Sequence, residues 1–186
     1  LFGVNKILKY ENFARNITVL DPGVLMRGSF NLIVVPRHDI ETKGKALAGR
    51  GNVIVTDLAP NLITPDKLSD FANEMQEKYP RKGKLNIGLL IGGENPHFTF
   101  SEDLLRLLGK NVLDACEKED AYIYMTTSRR TTYRSEKVLA NVFGKSSRCA
   151  VSVSGPGDTD EHTVEKILAS SDVVVVSGES ISMVSE

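Results

Sequence analysis

The segment "LNIGLLIGGENPHFTFSED" at residues 85–103 carries the pattern that decides the fold. Its first seven residues are mostly apolar and predict a strand over Leu85–Ile91. Gly92 and Gly93 then predict a tight turn, and Ser101, followed by two acidic residues, predicts the start of a helix. A strand, a glycine turn and a helix in this order are typical of a parallel α/β sheet.

The same alternation of strands and helices continues to residue 186. Four consecutive valines at 173–176 predict a buried last strand. Strictly alternating elements imply a parallel sheet flanked by helices, so the predicted fold class is α/β with Rossmann-like sheets. The predicted elements after the first strand are helices over Ser101–Glu117, Ser135–Phe143 and Asp160–Ser170, and strands over Ala121–Thr126, Cys149–Val153 and Val173–Ser177.

The first third of the chain predicts part of another α/β lobe. Strands are predicted over Ile17–Leu20, Leu32–Val35 and Val53–Thr56. The stretch "TPDKLSDFANEMQEKY" at 64–79 predicts a helix that Thr64 caps, and the basic stretch at 80–84 predicts an exposed linker. We therefore expect a first lobe at 1–62, a connecting helix and linker at 63–83, and most of a second lobe at 84–186.

The composition excludes several classes of protein. A net charge of −1 gives no global attraction to nucleic acid or to an anionic membrane. No apolar run approaches the ~18 residues that a membrane span needs. Cys116 and Cys149 lack a CxxC spacing, which predicts free thiols in a reducing compartment. The three histidines have no i, i+4 partner, so we expect no metal site.

Ligands of open parallel sheets bind beyond the carboxyl ends of the strands, so the residues that follow each strand are the candidates. Gly92 and Gly93 would let a ligand approach the backbone, although a plain tight turn explains them equally well. Ser128, Arg129 and Arg130 in "TSRRTT" at 127–132 suit phosphate recognition by paired guanidinium groups. A solvated basic turn is the alternative at even odds.

The stretch "GESISMVSE" at 178–186 follows the last predicted strand. Ser180 or Ser182 can cap a helix whose first amides would hold a phosphate. Glu186 can accept two hydrogen bonds from a ribose diol. A capping box explains the same residues locally just as well.

The stretch "VVPRHD" at 34–39 places Arg37, His38 and Asp39 directly after a strand of the first lobe. A histidine beside a carboxylate could act as a general base. Adjacent residues of an extended chain point to opposite faces, however, which favours a structural or cleft-lining role. His97 and His162 are isolated, and we expect them at the surface.

Five motifs together resemble the Elm family, which is named for mitochondrial fission. They are "VVPRHD", "NVIVTDLAPNLITP", "IGLLIGGENPHFTFSED", "MTTSRRT" and "SDVVVVSGESISMVSE", in the family's order from about residue 17 to residue 186. That family resembles the GT-B glycosyltransferases, which have two Rossmann-like lobes with a nucleotide-sugar cleft between them. The resemblance implies this two-lobe architecture, with the chain holding an incomplete part of it.

The ending is also similar to the donor site of the transferase that adds N-acetylglucosamine to the lipid precursor of peptidoglycan. There, a valine run leads to a small-residue turn and to Val-Ser-Glu, whose glutamate holds the ribose of UDP. Val184, Ser185 and Glu186 match these residues, and Ser180 stands where that enzyme has a glycine.

The resemblance implies a metal-independent transferase whose substrate is a nucleotide-sugar, with UDP as the expected nucleotide and no cofactor. Residues 84–186 would bind the donor, and Arg37, His38 and Asp39 would face an unknown acceptor, with lipid-linked and membrane-associated molecules as candidates. The alternatives are a non-catalytic protein that recruits the division machinery and a sensor that binds sugar nucleotides without turnover. We expect a cytoplasmic location, with peripheral membrane attachment left open, and no nucleic-acid partner.

Overall fold

The computed structural model describes residues 2–11, 13–43, 47–95 and 98–185. The chain divides after Leu62 into two compact units. The second unit runs from Ile63 to Val184 and therefore includes the helix that precedes the basic linker.

The first unit is a small parallel sheet. The strands β1 (Ile17–Val19), β2 (Leu32–Pro36) and β3 (Val53–Thr56) pair in the order β1-β2-β3. All three strands were predicted, and they are confirmed to within a residue. The helices of this unit are α1 (Phe2–Glu11) and α2 (Arg37–Lys43), and its buried core is formed by Ile33, Val35, Ile40 and Leu47.

Helix α2 corrects the sequence analysis. It begins at Arg37, directly after the last residue of β2, so Arg37, His38 and Asp39 are helical. The prediction that these residues continue an extended chain and alternate between two faces is therefore wrong. With only seven residues, α2 is too short for an apolar period to reveal it.

The second unit contains four strands and five helices among the described residues. Each predicted element is present, with bounds that differ from the prediction by at most three residues. In chain order they are α3 (Pro65–Lys78), β4 (Leu85–Ile91), α4 (Glu102–Glu119), β5 (Ala121–Thr127), α5 (Tyr133–Phe143), β6 (Cys149–Val153), α6 (Thr163–Ser170), β7 (Val173–Val176) and α7 (Ile181–Ser185).

The strands of this unit pair in the order β6-β5-β4-β7, and every pairing is parallel. The chain thus builds the sheet outward from β4 through β5 to β6, and then returns to add β7 on the other side of β4. Ile87 of β4 pairs with Ile123 on one side and with Val173 on the other. The direction of building reverses between β4 and β7, which makes the carboxyl ends of these strands the topological switch point of the sheet.

Helices cover both faces of the sheet. Leu89 and Ile91 of β4 pack with Leu105, Leu139 and Phe143 from α4 and α5. On the opposite face, buried side chains of the sheet pack against α3 and α6, and these side chains are Leu90, Tyr124, Met75 and Ile167. The predicted parallel sheet between two layers of helices is confirmed.

Local capping explains where the helices begin. The Thr64 hydroxyl accepts a hydrogen bond from the backbone N–H of Lys67, and Pro65 occupies the first helical position of α3, as predicted. Ser101 caps α4 in the same way, since its hydroxyl accepts from Leu104 N at 3.1 Å. These caps fix the helix starts that face the carboxyl edge of the sheet.

The two cysteines lie in the second unit and are free thiols, as predicted. Cys116 is buried on α4, and Cys149 begins β6. Burial raises the pKa of the Cys149 thiol to about 11, and it also raises the pKa of the Cys116 thiol. Among the described residues, no helix combines the length and the apolar character needed to cross a bilayer.

The valine run is not buried, contrary to the prediction. Val173, Val174 and Val175 retain 47%, 40% and 37% of their accessible surface. Within the described part of the chain, β7 pairs only with β4. It is therefore an edge strand, with a neighbouring strand on one side alone. A continuous apolar run predicts a strand, but it does not distinguish a central strand from an edge strand.

The amino end of the sheet is held by one carboxylate. Asp172, just before β7, accepts a hydrogen bond from Asn86 N at 2.7 Å and another from the Arg81 guanidinium at 2.5 Å. Arg81 lies in the predicted linker, which is exposed but is anchored by this contact. The backbone N–H of Asn86, with Arg81 contributing, holds the pKa of Asp172 below its ordinary value.

We expect Asp172→Asn to lower the melting temperature by a few degrees at pH 7, because it removes the charge that Arg81 and Asn86 stabilise. Both side chains of the ion pair are partly exposed, so the cost is about 0.5–1 kcal/mol. A carboxyl whose pKa is lowered by folding stabilises the protein above its unfolded pKa of ~4, and that contribution disappears as the pH falls through the folded pKa. Thermal melts from pH 7 to pH 3 should therefore converge for the two proteins. The control variant Asp70→Asn, on the exposed face of α3, should have the melting temperature of wild type at every pH. A difference in melting temperature between Asp172→Asn and wild type that stays constant from pH 7 to pH 3 would contradict the stabilising role of the Asp172 charge.

Candidate functional site

The candidate site is the carboxyl edge of the second sheet, where the loops after its four strands come together. These loops cover residues 92–95 after β4, 128–132 after β5, 154–162 after β6 and 177–180 after β7. Since all four strands are parallel, their carboxyl ends lie at the same edge, and the switch point lies among them.

Gly92 joins the β4 loop to the β7 loop. Its backbone N–H donates to Ser177 Oγ at 2.6 Å, and the Ser177 hydroxyl in turn donates to the Glu179 carboxylate at 2.8 Å. A Cβ added at Gly92 would collide with Glu179 Oε1 and would lie 2.6 Å from the Cβ of Ser180. The absence of a side chain therefore permits the two switch-point loops to touch.

Gly93 has the same role towards the β5 loop. A Cβ at this position would collide with the Cβ of Arg130 and would lie 3.0 Å from the Arg130 carbonyl carbon. The neighbouring Thr131 hydroxyl donates to Gly92 O at 3.1 Å and ties the two loops together. The two adjacent glycines thus bring the loops of β5 and β7 against the central strand.

The two arginines lie at the exposed rim of this edge. The turn that carries them is braced, because Arg130 N donates to Ser128 Oγ at 3.2 Å and Thr131 N donates to Ser128 O at 2.9 Å. Neither Arg129 nor Arg130 forms an ion pair with a carboxylate in the described part of the chain. Their guanidinium groups are therefore available to an anion from outside.

A polar pocket of about 640 Å³ opens along this edge. Four of the residues predicted from the sequence contribute to its wall, namely Ser128, Arg129, Arg130 and Ser180. Gly92 and Gly93 lie against Ser180 and Arg130 as described above. The pocket wall also includes residues that sequence reasoning missed, which are Thr126, Thr127, Gly155, Asp158, Asp160, Glu161, Thr163, Val164 and Met183.

Most of the missed residues belong to the stretch "SGPGDTDEHT" at 154–163, directly after β6. The rule that points to the carboxyl ends of strands would have found them, because this stretch follows a strand and contains two glycines. Gly155 is packed against the β5 end, where its N–H donates to the Thr127 hydroxyl at 2.8 Å. Thr127 in turn donates to the Glu136 carboxylate of α5.

The charge of the pocket is divided between two sides. The β5 side carries Arg129 and Arg130, and the β6 side carries Asp158, Asp160 and Glu161. Asp160 accepts hydrogen bonds from the Lys166 ammonium at 2.8 Å and from the backbone N–H of His162, and these contacts lower its pKa. Guanidinium forks suit phosphoryl oxygens, whereas carboxylates accept hydrogen bonds from hydroxyl groups, so the pocket could hold a ligand that carries both.

A second carboxylate network lies beside the pocket at the start of α5. Glu94 Oε1 accepts hydrogen bonds from the hydroxyls of Thr132 and Ser135, at 3.1 and 2.8 Å. Thr132 is also the N-cap of α5. The network fixes the loop after β4 to the helix after β5. Among the described residues, no group of three or more histidine, cysteine, aspartate or glutamate side chains is arranged to hold a metal ion.

The candidates in the first unit lie on α2. His38 Nε2 and Asp39 Oδ1 are 4.0 Å apart, so the two side chains do approach one another, against the expectation from an extended chain. Arg37 instead pairs with Asp57 at 2.7 Å, and this hydrogen-bonded ion pair raises the pKa of the arginine. Arg37 therefore already has a carboxylate partner within its own unit.

Two site predictions concern atoms that the structure does not describe. Glu186 lies outside the described residues, as do His97 and the side chain of Ser182. The roles assigned to Glu186 and Ser182 stay predictions. His162 is partly exposed and lies 3.3 Å from Glu165, consistent with the predicted surface position.

Two parallel α/β units, the second with a polar pocket at the carboxyl ends of its strands, define a protein of the Rossmann-like α/β class. Within that class the chain belongs to the mitochondrial fission ELM1 family, whose model matches residues 6–186. The family resemblance predicted from the five motifs is thus confirmed.

The chain is also similar to an uncharacterized protein of Rickettsia prowazekii (strain Madrid E). The two are 28% identical over 152 residues, which cover 81% of this chain and 39% of that protein. The chain therefore spans about two fifths of the length of the curated relative it matches. No solved structure matches the chain.

We expect Gly92→Ala to destabilise the protein by about 1–3 kcal/mol, because the new methyl group must displace Ser180 in a packed loop. Gly178→Ala is the matched control from the β7 loop, since a Cβ there would meet nothing within 4 Å. In thermal melts, Gly92→Ala should have a lower melting temperature than wild type, and Gly178→Ala should have a melting temperature close to that of wild type. Equal melting temperatures would show that the two loops do not pack as described.

Proposed function

We propose that this chain is part of a GT-B-like glycosyltransferase that binds a nucleotide-sugar, with UDP as the favoured nucleotide, and that needs no metal ion. The second unit would bind the donor, and the first unit would face the acceptor. The observation that carries the proposal is the position of the pocket, which lies at the carboxyl ends of β5, β6 and β7, the edge at which open α/β sheets bind their ligands.

The diphosphate of the donor would lie against Arg129 and Arg130. These side chains are exposed at the rim of the pocket and have no carboxylate partner in the described structure. A guanidinium group matches phosphoryl oxygens with two parallel hydrogen bonds, and two adjacent groups can neutralise two charges. Gly92 and Gly93 would support this contact indirectly, because they hold the β5 and β7 loops in place.

The sugar hydroxyls would find acceptors on the opposite side of the pocket. Asp158 and Glu161 line this side and carry carboxylate oxygens that can accept hydroxyl hydrogen bonds. Asp160 is already compensated by Lys166, so it would add polarity without adding a full unpaired charge. This division of charge suits a ligand that is anionic at one end and rich in hydroxyls at the other.

The proposed reaction requires the stabilisation of a leaving diphosphate. An acceptor oxygen forms a bond to the anomeric carbon while the bond from that carbon to the diphosphate oxygen breaks, and the diphosphate leaves with the bonding electrons. Arg129 and Arg130 would stabilise the charge that develops on the leaving group. The proton of the acceptor would pass to a base, for which the His38 and Asp39 pair of the first unit is the candidate.

We expect calorimetry on the full-length protein, in EDTA, to show binding of UDP that is at least about tenfold tighter than binding of ADP. EDTA should have no effect, because arginines rather than a metal would meet the diphosphate. The double variant Arg129→Ala/Arg130→Ala should weaken UDP binding by about 100-fold, since charge-assisted hydrogen bonds contribute roughly 1.5–3 kcal/mol each. Arg106→Ala, which removes a guanidinium on α4 that pairs with Glu102, should bind UDP like wild type.

Three outcomes would contradict this proposal: no binding of either nucleotide, equal binding of both, or binding that is lost on chelation and restored by magnesium. If UDP binds but no transfer from a UDP-sugar occurs with any acceptor, the sensor alternative replaces the enzyme.

Glu186 provides a separate prediction that rests on the similarity of the Val-Ser-Glu ending to a UDP site. If its carboxylate accepts hydrogen bonds from both ribose hydroxyls, Glu186→Ala should weaken UDP binding by about 10–100-fold, and Glu186→Gln should cost less. As a mere helix-start acid, it would contribute only about 0.3–1 kcal/mol to stability and nothing to affinity. Affinity and melting temperature measured on the same variants separate the roles. An alanine variant that melts early yet binds like wild type would refute the ribose contact.

The edge strand β7 favours a second candidate function, a non-catalytic protein of the mitochondrial-fission type that docks other proteins. Val173, Val174 and Val175 expose apolar surface along one edge of the sheet, and such surfaces mark interaction sites when they are contiguous. Absence of nucleotide binding, together with a protein partner whose capture depends on these valines, would favour this function over transfer.

A further inference from the structure

One hydroxyl group joins the loop after β6 to the end of β5. The loop covers residues 154–162 and begins with a short 3-10 turn at Gly155–Gly157. Gly155 is buried, and its backbone N–H donates to the Thr127 hydroxyl at 2.8 Å. A Cβ on Gly155 would collide with Thr127 O and would lie 2.7 Å from Ser128 O. The start of the loop therefore lies directly against the last residues of β5.

The Thr127 hydroxyl is committed to this link. It donates to the carboxylate of Glu136, which lies near the start of α5. Since a backbone N–H can only donate, the hydroxyl must accept from Gly155 and direct its own hydrogen at Glu136. Thr127 is only 4% exposed, so water does not compete for these bonds. The hydroxyl consequently has no hydrogen left to donate to a ligand.

The other end of the loop is held by an ion-pair network. Asp160 lies 2.8 Å from the Lys166 ammonium, which is also 2.8 Å from the Glu74 carboxylate of α3. Asp158 accepts a hydrogen bond from Asp160 N at 3.0 Å. Because both ends of the loop are held, the carboxylates of Asp158 and Glu161 have a fixed place in the pocket wall.

The arginine side of the pocket does not depend on the Thr127 hydroxyl. The turn at 128–132 is held by its own backbone and by Ser128, whose N–H donates to Ile91 O at 2.8 Å. Loss of the hydroxyl would leave the buried N–H of Gly155 without its acceptor, which favours a displacement of the loop after β6. The two sides of the pocket can therefore be disturbed separately.

We infer that Glu136 and Thr127 are positioning residues of the candidate site, which set the loop after β6 against the sugar of the donor. The inference rests on the proposed function, since it names the part of the nucleotide-sugar on which these residues act. Glu136 lies outside the pocket wall among the described residues, so its influence on a ligand must pass through Thr127 and the loop. Loss of the link weakens recognition of the sugar hydroxyls and leaves the diphosphate contact in place.

The first test is calorimetry on the full-length protein with UDP, UDP-glucose and UDP-N-acetylglucosamine. Thr127→Val, which replaces the hydroxyl by a methyl group, should weaken binding of the preferred sugar nucleotide about five- to tenfold and binding of UDP less than about twofold. Glu136→Leu should reproduce this pattern from outside the pocket wall. Thr127→Ser keeps the hydroxyl and Glu136→Gln keeps an acceptor oxygen, so both should retain most of the affinity.

The second test is hydrogen exchange of the backbone amides of residues 155–162, which needs no nucleotide. Thr127→Val and Glu136→Leu should each speed this exchange about tenfold, because the loop opens more often once its link is lost. Thr127→Ser should exchange like wild type. Ser171→Ala is the matched control, since it removes a hydroxyl of the same unit that donates to Ile167 O at 2.6 Å, and it should change neither measurement.

The outcomes separate the inference from the proposed function. Unchanged exchange in Thr127→Val and Glu136→Leu would overturn the inference, and so would equal losses of affinity for UDP and for the sugar nucleotide, which a merely structural role predicts. A wild-type protein that binds no UDP would contradict the proposed function itself. Faster exchange together with a selective loss of sugar-nucleotide affinity, reversed in Thr127→Ser, is the result that we expect.

Discussion

The parallel pairing of β4 with both β5 and β7 is the constraint on which the second unit depends. Ile87 has a partner on each side, so β4 is the central strand from which the sheet is built in both directions. This pairing places the switch point after Ile91, where the chain must leave the sheet between two neighbouring loops. Gly92 and Gly93 satisfy that requirement, since a side chain at either position would collide with the adjoining loop. The pocket exists because these loops can approach one another.

Much of this fold could be predicted because its strands are short, apolar and separated by glycine or polar turns. The register and order of the strands could not be predicted, since they depend on contacts between residues far apart in the chain. The exposure of Val173 shows the limit, because the same four valines would fit a central or an edge strand. Helix α2 was missed for a different reason: seven residues contain too few apolar positions to reveal a helical period.

The candidate site was predictable to the extent that it follows the ends of strands. Ser128, Arg129, Arg130 and Ser180 were found in this way, and the structure places all four in one pocket wall. The loop after β6 was missed, although Gly155 and the acidic residues that follow it satisfy the same rule. The approach of His38 to Asp39 could not be foreseen, because it depends on helical geometry that the local sequence does not announce. Family motifs carried the assignment where local patterns left two explanations open.

The burial of Cys116 and the partial burial of Cys149 in the second unit have a practical consequence. With a pKa of about 11, only on the order of one in ten thousand Cys149 side chains is a thiolate at neutral pH, and the thiolate is the nucleophile. The chain has two cysteines, and neither lies in the first unit. Alkylating reagents will therefore modify the folded protein slowly and will report the transient opening of one unit alone. The native sulfurs thus act as a built-in probe of local unfolding, with no engineered label.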